Sequence, residues 1–528
     1  MSYKILRRPP WRATALSIGI GMALTACAVG PDFHAPDAPK VADASHPYTP
    51  APLPAQTASA PGTGGDAQHL VDGQDVSATW WDTFHSEPLN ALVRSALANS
   101  PTMAAAQANL RQAEENYRAD YGSKVFPSVS ASLQGARQRF PIEQAPGEPA
   151  GFTTNLFTAA LDVSYTLDVF GGNKRELEGV KAAIDAQRYQ LEATWLSLSS
   201  SVVATAIQEA SLEAQLKATN DVVDAESQSL VVIQKQVRLG AIARSAVLQQ
   251  QTLIAQTQAQ IPALQKSLAQ TRHQLSVLAG RLPGDAGLPA FDLASLNLPH
   301  ELPVSLPSAL VRQRPDVRAS EAALHEASAQ IGVATANLYP QITLSGGVDR
   351  ESLKLGRLFD TGTTGWNLLA GLTQPIFNGG ALQAKKRAAV AAYDAANAQY
   401  QSTVLNAFLD VANALRAIDT DADALRIDAQ AESLAKESLD LVVRQYQLGA
   451  VSYLASLDAQ RTYLQTRTAL VQAQAARYTD TAALFQALGG GWWNRTDVMP
   501  NPYSPEAPVV EAVTDTIVGT HATTDLNQ

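Results

Sequence analysis

The chain is 528 residues long and carries 39 lysines and arginines against 49 aspartates and glutamates, a formal net charge of −10. That acidic balance argues against a nucleic-acid partner, and a single cysteine excludes a disulfide framework. Hydrophobic residues make up 46% and aromatics only 6%, so bulk comes from alanine and leucine, which suits helices packed closely side by side.

Lys4, Arg7, Arg8 and Arg12 precede an uncharged run from Ala13 to Ala26. The run is too short and too weakly apolar for a spanning helix, so residues 1–26 are expected to be a signal peptide. It ends in Leu24-Thr25-Ala26-Cys27, which resembles the bacterial lipobox. That resemblance implies that Cys27 becomes the first residue of the mature protein and carries an N-acyl diacylglycerol-type lipid. Ala28 and Val29 follow in place of an aspartate, so no inner-membrane retention signal is implied. Removing residues 1–26 leaves 35 basic against 49 acidic residues. No later stretch of about twenty apolar residues exists, so any membrane crossing has to use strands.

Residues 27–79, rich in Ala, Pro, Asp and Thr, read as an extended tether. Trp80-Trp81-Asp82-Thr83-Phe84 opens the ordered part. Pro88-Leu89-Asn90 leads into a short helix closed by Asn99-Ser100-Pro101. An alanine-rich helix follows over about residues 102–122. The period then changes to two, with Val129, Ala131 and Leu133 against Ser128, Ser130, Ser132 and Gln134. Arg137 and Arg139 end that strand, and residues 140–152, with three prolines and two glycines, are expected to be a loop. A second strand alternates from Phe157 to Val169 and stops at Phe170-Gly171-Gly172, completing a hairpin. From Asn173 to Leu239 there is no proline and the apolar spacing is helical, which predicts one helix about 100 Å long. Pro262 sits in the otherwise helical return segment and should kink or break it.

The same order then recurs. A helix from Pro315 leads to Tyr339-Pro340, and Ile342, Leu344 and Val348 alternate with Gln341, Thr343 and Ser345. Trp366, Leu368, Ala370 and Leu372 alternate with Gly365, Asn367, Gly371 and Thr373 up to Phe377-Asn378-Gly379-Gly380. A second long helix runs to Leu448-Gly449-Ala450, matching Leu239-Gly240-Ala241. Gly240 to Gly280 and Gly449 to Gly489 are both 40 residues apart. Val471 is the counterpart of Pro262. The expected organisation is a first copy at 80–280 with its hairpin at about 127–170 and a connection at 281–307. A second copy follows at 308–491, with its hairpin at about 340–377, and a patternless tail occupies 492–528. A unit of about 210 residues is too long for a solenoid repeat and implies duplication.

Each copy supplies two strands of about ten residues, enough to cross a bilayer when tilted, with one apolar face. Four strands cannot close a barrel, and open sheet edges are not tolerated in lipid. Several chains must therefore share one barrel. Two would enclose a space filled by side chains, and three a water-filled lumen of roughly twelve strands. The inward Ser, Thr, Asn, Asp and Gly residues favour the trimer; strands of a soluble sandwich are the alternative, and the long helices have no place in one. The fold class is mainly α with a membrane β-barrel, the helices continuing the barrel as a coiled tube on one side of the membrane. The Leu-Gly-Ala elements mark the far tip, where a helix reverses.

The lipobox, Trp80-Trp81-x-x-Phe84, the two glycine junctions and Tyr446-Gln447-Leu448-Gly449-Ala450-Val451-Ser452-Tyr453, followed by Leu457-Asp458-Ala459-Gln460-Arg461, complete the pattern. Together they resemble the outer-membrane factors of Gram-negative tripartite pumps, in particular the NodT/OprM lipoprotein branch of the TolC-like superfamily. The resemblance covers residues 27–493. It implies a homotrimeric 12-stranded barrel on a periplasmic helical tunnel. The lipid-anchored protein would sit in the outer membrane, its tip docking a periplasmic adaptor that links it to an inner-membrane pump of the RND type. Asp458 matches an aspartate whose three copies ring the closed periplasmic entrance, Arg461 follows it as in the lipoprotein branch, and Tyr446 matches a tyrosine that ties the tip shut. Val451 stands where TolC-like tips have an arginine and Ala455 where they have a second aspartate, so the lock differs in detail. A simple exposed Asp458–Arg461 pair at i, i+3 is the competing reading. Leu239, Gly240, Ala241, Leu448, Gly449 and Ala450 are adaptor-contact candidates as well as helix caps.

The functional expectation is a passive exit duct for small molecules, with no enzyme activity, no metal and no cofactor beyond the lipid on Cys27. Type I protein secretion and a coiled-coil scaffold without a pore are the alternatives. The eight histidines are scattered without metal-ligand spacing. Four methionines without a cluster give no support to a copper or silver duct.

Overall fold

The computed structural model describes residues 28–37, 48–50, 52–143, 149–285 and 287–496. The expected signal peptide, Cys27 and residues 497–528 of the tail lie outside the described residues. A short strand β1 (His69–Asp72) precedes a 3₁₀ turn at Trp80–Phe84, helix α1 (Glu87–Asn99) and helix α2 (Pro101–Val125). The first hairpin is β2 (Ser128–Glu143) and β3 (Pro149–Leu167), followed by α3 (Gly172–Arg238), α4 (Arg244–Gln258) and α5 (Ile261–Leu278). Strand β4 (Glu301–Val304) and helix α6 (Pro307–Gln313) lead into the second copy. That copy comprises α7 (Pro315–Ala336), β5 (Gln341–Ser352), β6 (Thr364–Thr373), α8 (Ala381–Gln447) and α9 (Tyr453–Ala487).

The two long helices, α3 and α8, have 67 residues each, which at about 1.5 Å per residue spans roughly 100 Å. In a folded protein most helical stability comes from tertiary packing. Here the middle of α3 packs through Trp195, Val202, Val203 and Ile207 into one core with Val404, Val411 and Ile418 of α8 and Tyr478 and Phe485 of α9. The Trp80–Phe84 turn plugs this core: Trp80 stacks on Phe485 at 5.4 Å and Trp81 lies 5.5 Å from Trp195.

The four long strands form one antiparallel sheet in the order β2-β3-β5-β6. Its register puts like with like. Leu161, Val348 and Trp366 lie side by side on one face, and Asp162, Gly347 and Asn367 on the other. The apolar face is left open, with Trp366 78% and Leu368 80% exposed. The first hairpin is longer than its alternation suggests, because residues 140–143 and 149–152 of the expected loop are strand. Pairing continues past Arg139, and Phe140 stacks on its register partner Phe152 at 5.3 Å. Pro141 does not stop the ladder, since β2 is an edge strand of this sheet.

Two further differences from the sequence expectation concern chain that lacks periodicity. Much of the stretch read as a tether is docked rather than free, and β1 pairs in parallel with β4, inside the proline-punctuated connection. Gln68 donates to Pro299 O and accepts from the buried Arg477, so side chains rather than a pattern fix its place. Residues 28–33 are clamped where strand gives way to helix. Val29 N donates to Phe170 O at 3.1 Å, and the buried Arg175 donates to Asp32 Oδ1 at 2.7 Å and Glu178 Oε2 at 2.8 Å. Phe33 stacks on His325 at 4.3 Å. Gly171 is glycine for a steric reason, since a Cβ there would lie 2.6 Å from Ala28 Cα.

Pro262 acts as expected. The return segment breaks between Gln258 and Ile261, and Pro262 occupies the first turn of α5, where its missing N–H costs nothing. With Val471 at the matching place, α9 runs unbroken for 35 residues.

Candidate functional site

The tips are built by two turns of the same geometry. Gly240 (φ 72°) donates to Val237 O, and Ala241 N closes back on Gln236 O at 3.0 Å. Gly449 (φ 76°) donates to Tyr446 O, and Ala450 N reaches Gln445 O at 2.9 Å. These are left-handed glycine caps of the Schellman type, which satisfy the last carbonyls of α3 and α8. Each pushes one leucine into solvent: Leu239 is 75% and Leu448 85% exposed. Lys235, Arg238 and Arg244 surround the first turn, whereas Arg444 is the basic residue in the last turn of α8.

Behind the tips the two hairpins are joined by polar side chains. Tyr446 Oη on α8 donates to Gln236 Oε1 on α3 at 2.7 Å. Its ring lies 5.6 Å from that of Tyr453, whose hydroxyl donates to Gln250 Oε1 on α4. Gln250 Nε2 donates in turn to Glu226 O at 2.9 Å and to Gln460 Oε1 on α9 at 3.3 Å. Thr257 Oγ1 donates to Glu226 Oε1 at 3.1 Å, while Glu226 Oε2 is buried with no hydrogen-bond partner among the described residues. Burial pushes the Glu226 carboxyl above its ordinary range, opposed by the Thr257 hydrogen bond and the nearby charge of Arg461. Burial likewise raises both tyrosine hydroxyls.

The structure therefore brings Tyr446 into a network, and the charge of Arg461 is near enough to favour the ionised form of Glu226. Asp458 lies apart: it is exposed on α9, between the buried Leu457 and Ala459. Among the described residues no ion pair joins Asp458 to Arg461, so the simple i, i+3 pair is not formed. Glu226, Gln250 and Thr257 had no role in the sequence reading, and Tyr453 and Gln460 were noted only as part of a motif. A polar residue inside a helical repeat carries no mark of its partner some 200 residues away; the available clue was that Glu226 and Gln250 occupy positions where the second copy has Ala435 and Ala459.

At the other end of the helices a cavity of about 770 Å³ opens between strands and helices, lined in part by Ser128, Ser164, Thr166, Asp168 and Asn173. No helix among the described residues is long and apolar enough to cross a membrane. No group of three or more His, Cys, Asp or Glu side chains among them is placed to hold a metal ion.

Comparison with known proteins gives a consistent result. The outer membrane efflux protein family profile matches residues 92–281 and 306–490. The antibiotic efflux pump outer membrane protein ArpC of Pseudomonas putida is 30% identical over 502 residues, 93% of this chain and 99% of its own. The cation efflux system protein CusC of Escherichia coli is 30% identical over 482 residues, 90% of this chain and 97% of its own. Among solved structures, the outer-membrane channel OprN superposes with a TM-score of 0.78 at 26% identity, covering 88% of this chain and all of that one.

Proposed function

The chain belongs to the outer membrane efflux protein family, and from that premise we propose that three copies assemble into a passive exit duct closed at its helical tip. The observation that carries this reading is the open four-stranded sheet, one face apolar and exposed, joined to two helices of 67 residues that end in matching turns. Unpaired edges at β2 and β6 cannot persist in lipid, and pairing β6 of one copy with β2 of the next closes a twelve-stranded barrel. The Ser, Thr, Asn and Asp face then lines a wet lumen, and the Trp366 and Leu368 face meets acyl chains.

The helices would extend into the periplasm, where the exposed leucines and glycine caps of the two tips dock an adaptor coupled to an inner-membrane pump of the RND type. Cys27 would carry the lipid anchor. The clamp on residues 28–33 supports this, because it holds the chain at the level where strands leave the membrane. Asp458, exposed on α9, would form a ring of three carboxylates about the axis, with Tyr446 and Arg461 fastening the tip from behind. Relatives are named for antibiotics and for cations, and the cargo proposed here is small molecules delivered by the pump.

Single-channel conductance in a planar bilayer tests the reading. Wild type should form a heat-resistant trimer of small conductance, and Asp458→Ala should raise the conductance several-fold with the trimer intact. Monomers without conductance in either protein would overturn it.

A further inference from the structure

The most deeply buried polar group near the tip is not on the Asp458 side of α9 but behind it. Gln250 is fully buried, with Glu226 and Gln460 at 1% and 6% exposure around it. Its amide is fully committed: Oε1 accepts from Tyr453, and the two Nε2 hydrogens go to Glu226 O and Gln460 Oε1. One side chain of the first hairpin thus ties α4 to α3 and to both the start and the third turn of α9. Nearby positions of the same seam hold the apolar Leu253, Ile254 and Leu457.

We infer that Gln250 is the positioning residue that sets the closed state of the tip, and that α9 swings away from α4 by breaking the Tyr453–Gln250 and Gln250–Gln460 hydrogen bonds. The inference rests on the channel reading above. Its physical basis is the difference between polar and apolar seams. Separating an apolar seam exposes surface with nothing in return. Separating a hydrogen-bonded seam lets water replace each lost bond, leaving a net cost of about 1 kcal/mol per bond. A seam closed by such a hub holds the tip shut yet lets it open reversibly. The hub belongs to one copy only: in the register that matches Gly240 with Gly449, Gln250 falls on Ala459 and Glu226 on Ala435.

The test uses the full-length purified protein in planar bilayers: wild type, Tyr453→Phe, Gln250→Leu, the double variant, and Asp458→Ala as comparator. Tyr453→Phe removes one bond and should raise open probability about fivefold, the factor that about 1 kcal/mol represents. Gln250→Leu strands three partners and should raise it roughly tenfold or more. The double variant should open no further than Gln250→Leu alone, because the two act as one unit. Heat resistance of the oligomer should stay at the wild-type level throughout. The inference is overturned if Gln250→Leu and Tyr453→Phe stay as closed as wild type while Asp458→Ala opens. It is equally overturned if their leak comes only with loss of heat resistance, or if the two effects simply add. Absence of conductance in every protein, Asp458→Ala included, would overturn the channel reading and this inference with it.

Discussion

The two helical hairpins share a backbone and differ in chemistry. Both end in a glycine cap of the same geometry with an exposed leucine, yet the first returns through a helix broken before Pro262 and the second through an unbroken one. The first supplies the glutamine acceptors Gln236 and Gln250, and the second supplies the tyrosine donors Tyr446 and Tyr453. Duplication alone would have left two identical faces with nothing to recognise in each other. Divergence at a few buried positions turned the copies into complementary halves of a fastening, while the caps that shape the tips stayed the same.

Exchanging features between the copies shows which differences matter. The largest effect is expected from Val471→Pro, which imposes on α9 the break natural to the first copy. Val471 is 4% exposed mid-helix, so a lost hydrogen bond and a steric clash should cost about 3 kcal/mol or more. The reverse change, Pro262→Val, should add helix with little loss of stability. Circular dichroism and thermal denaturation measure both, and equal effects would mean that the break in the first hairpin has another cause. Next come Gly240→Val and Gly449→Val. Both glycines have positive φ with open space around them, so backbone strain alone should cost about 1–2 kcal/mol in each. The comparison is sharpened if the losses match, and broken if one cap tolerates valine.

A further difference between the copies is a slope with pH. In the same register, Asp421 and Asp480 of the second copy stand where the first has Leu212 and Thr271. Burial, together with the hydrogen bond and charge of Asp480, pushes the Asp421 carboxyl up from its ordinary 3.8 to about 7. Its folded-state pKa is thus above the unfolded one, so between these values the folded protein holds a proton that the unfolded chain has lost. Stability should fall as pH rises from about 4 to about 7 and level off beyond. Denaturant unfolding across that window should lose part of this slope in Asp421→Asn, and an unchanged slope would assign it to other groups.

Features with a period were legible without coordinates. The alternation of Val129, Leu133, Leu161 and Val163 placed the two strands of the first hairpin, and the absence of proline after Asn173 placed a helix that proved to be 67 residues long. Pro262 announced its break. Where pattern fails, so did the reading. The loop expected at 140–152 is mostly strand, because cross-strand stacking of Phe140 on Phe152 outweighs the prolines around it. Part of the expected tether is held by the buried Arg477 through Gln68, a contact between residues 409 positions apart. At the tip, the motif held Tyr446 but gave no sign of the buried polar side chains around Glu226 and Gln250, and the alternative Asp458–Arg461 ion pair is absent among the described residues.

The sequence by itself determined the duplicated order of elements, the two-faced strands and the glycine-capped tips, because each rests on local backbone preference and on the period with which apolar residues recur. Only the tertiary structure decided which polar side chains meet. Glu226, Gln250, Tyr453 and Gln460 are joined by hydrogen bonds whose cost when unmade depends on burial, and burial at these positions exists only once the two hairpins lie against each other.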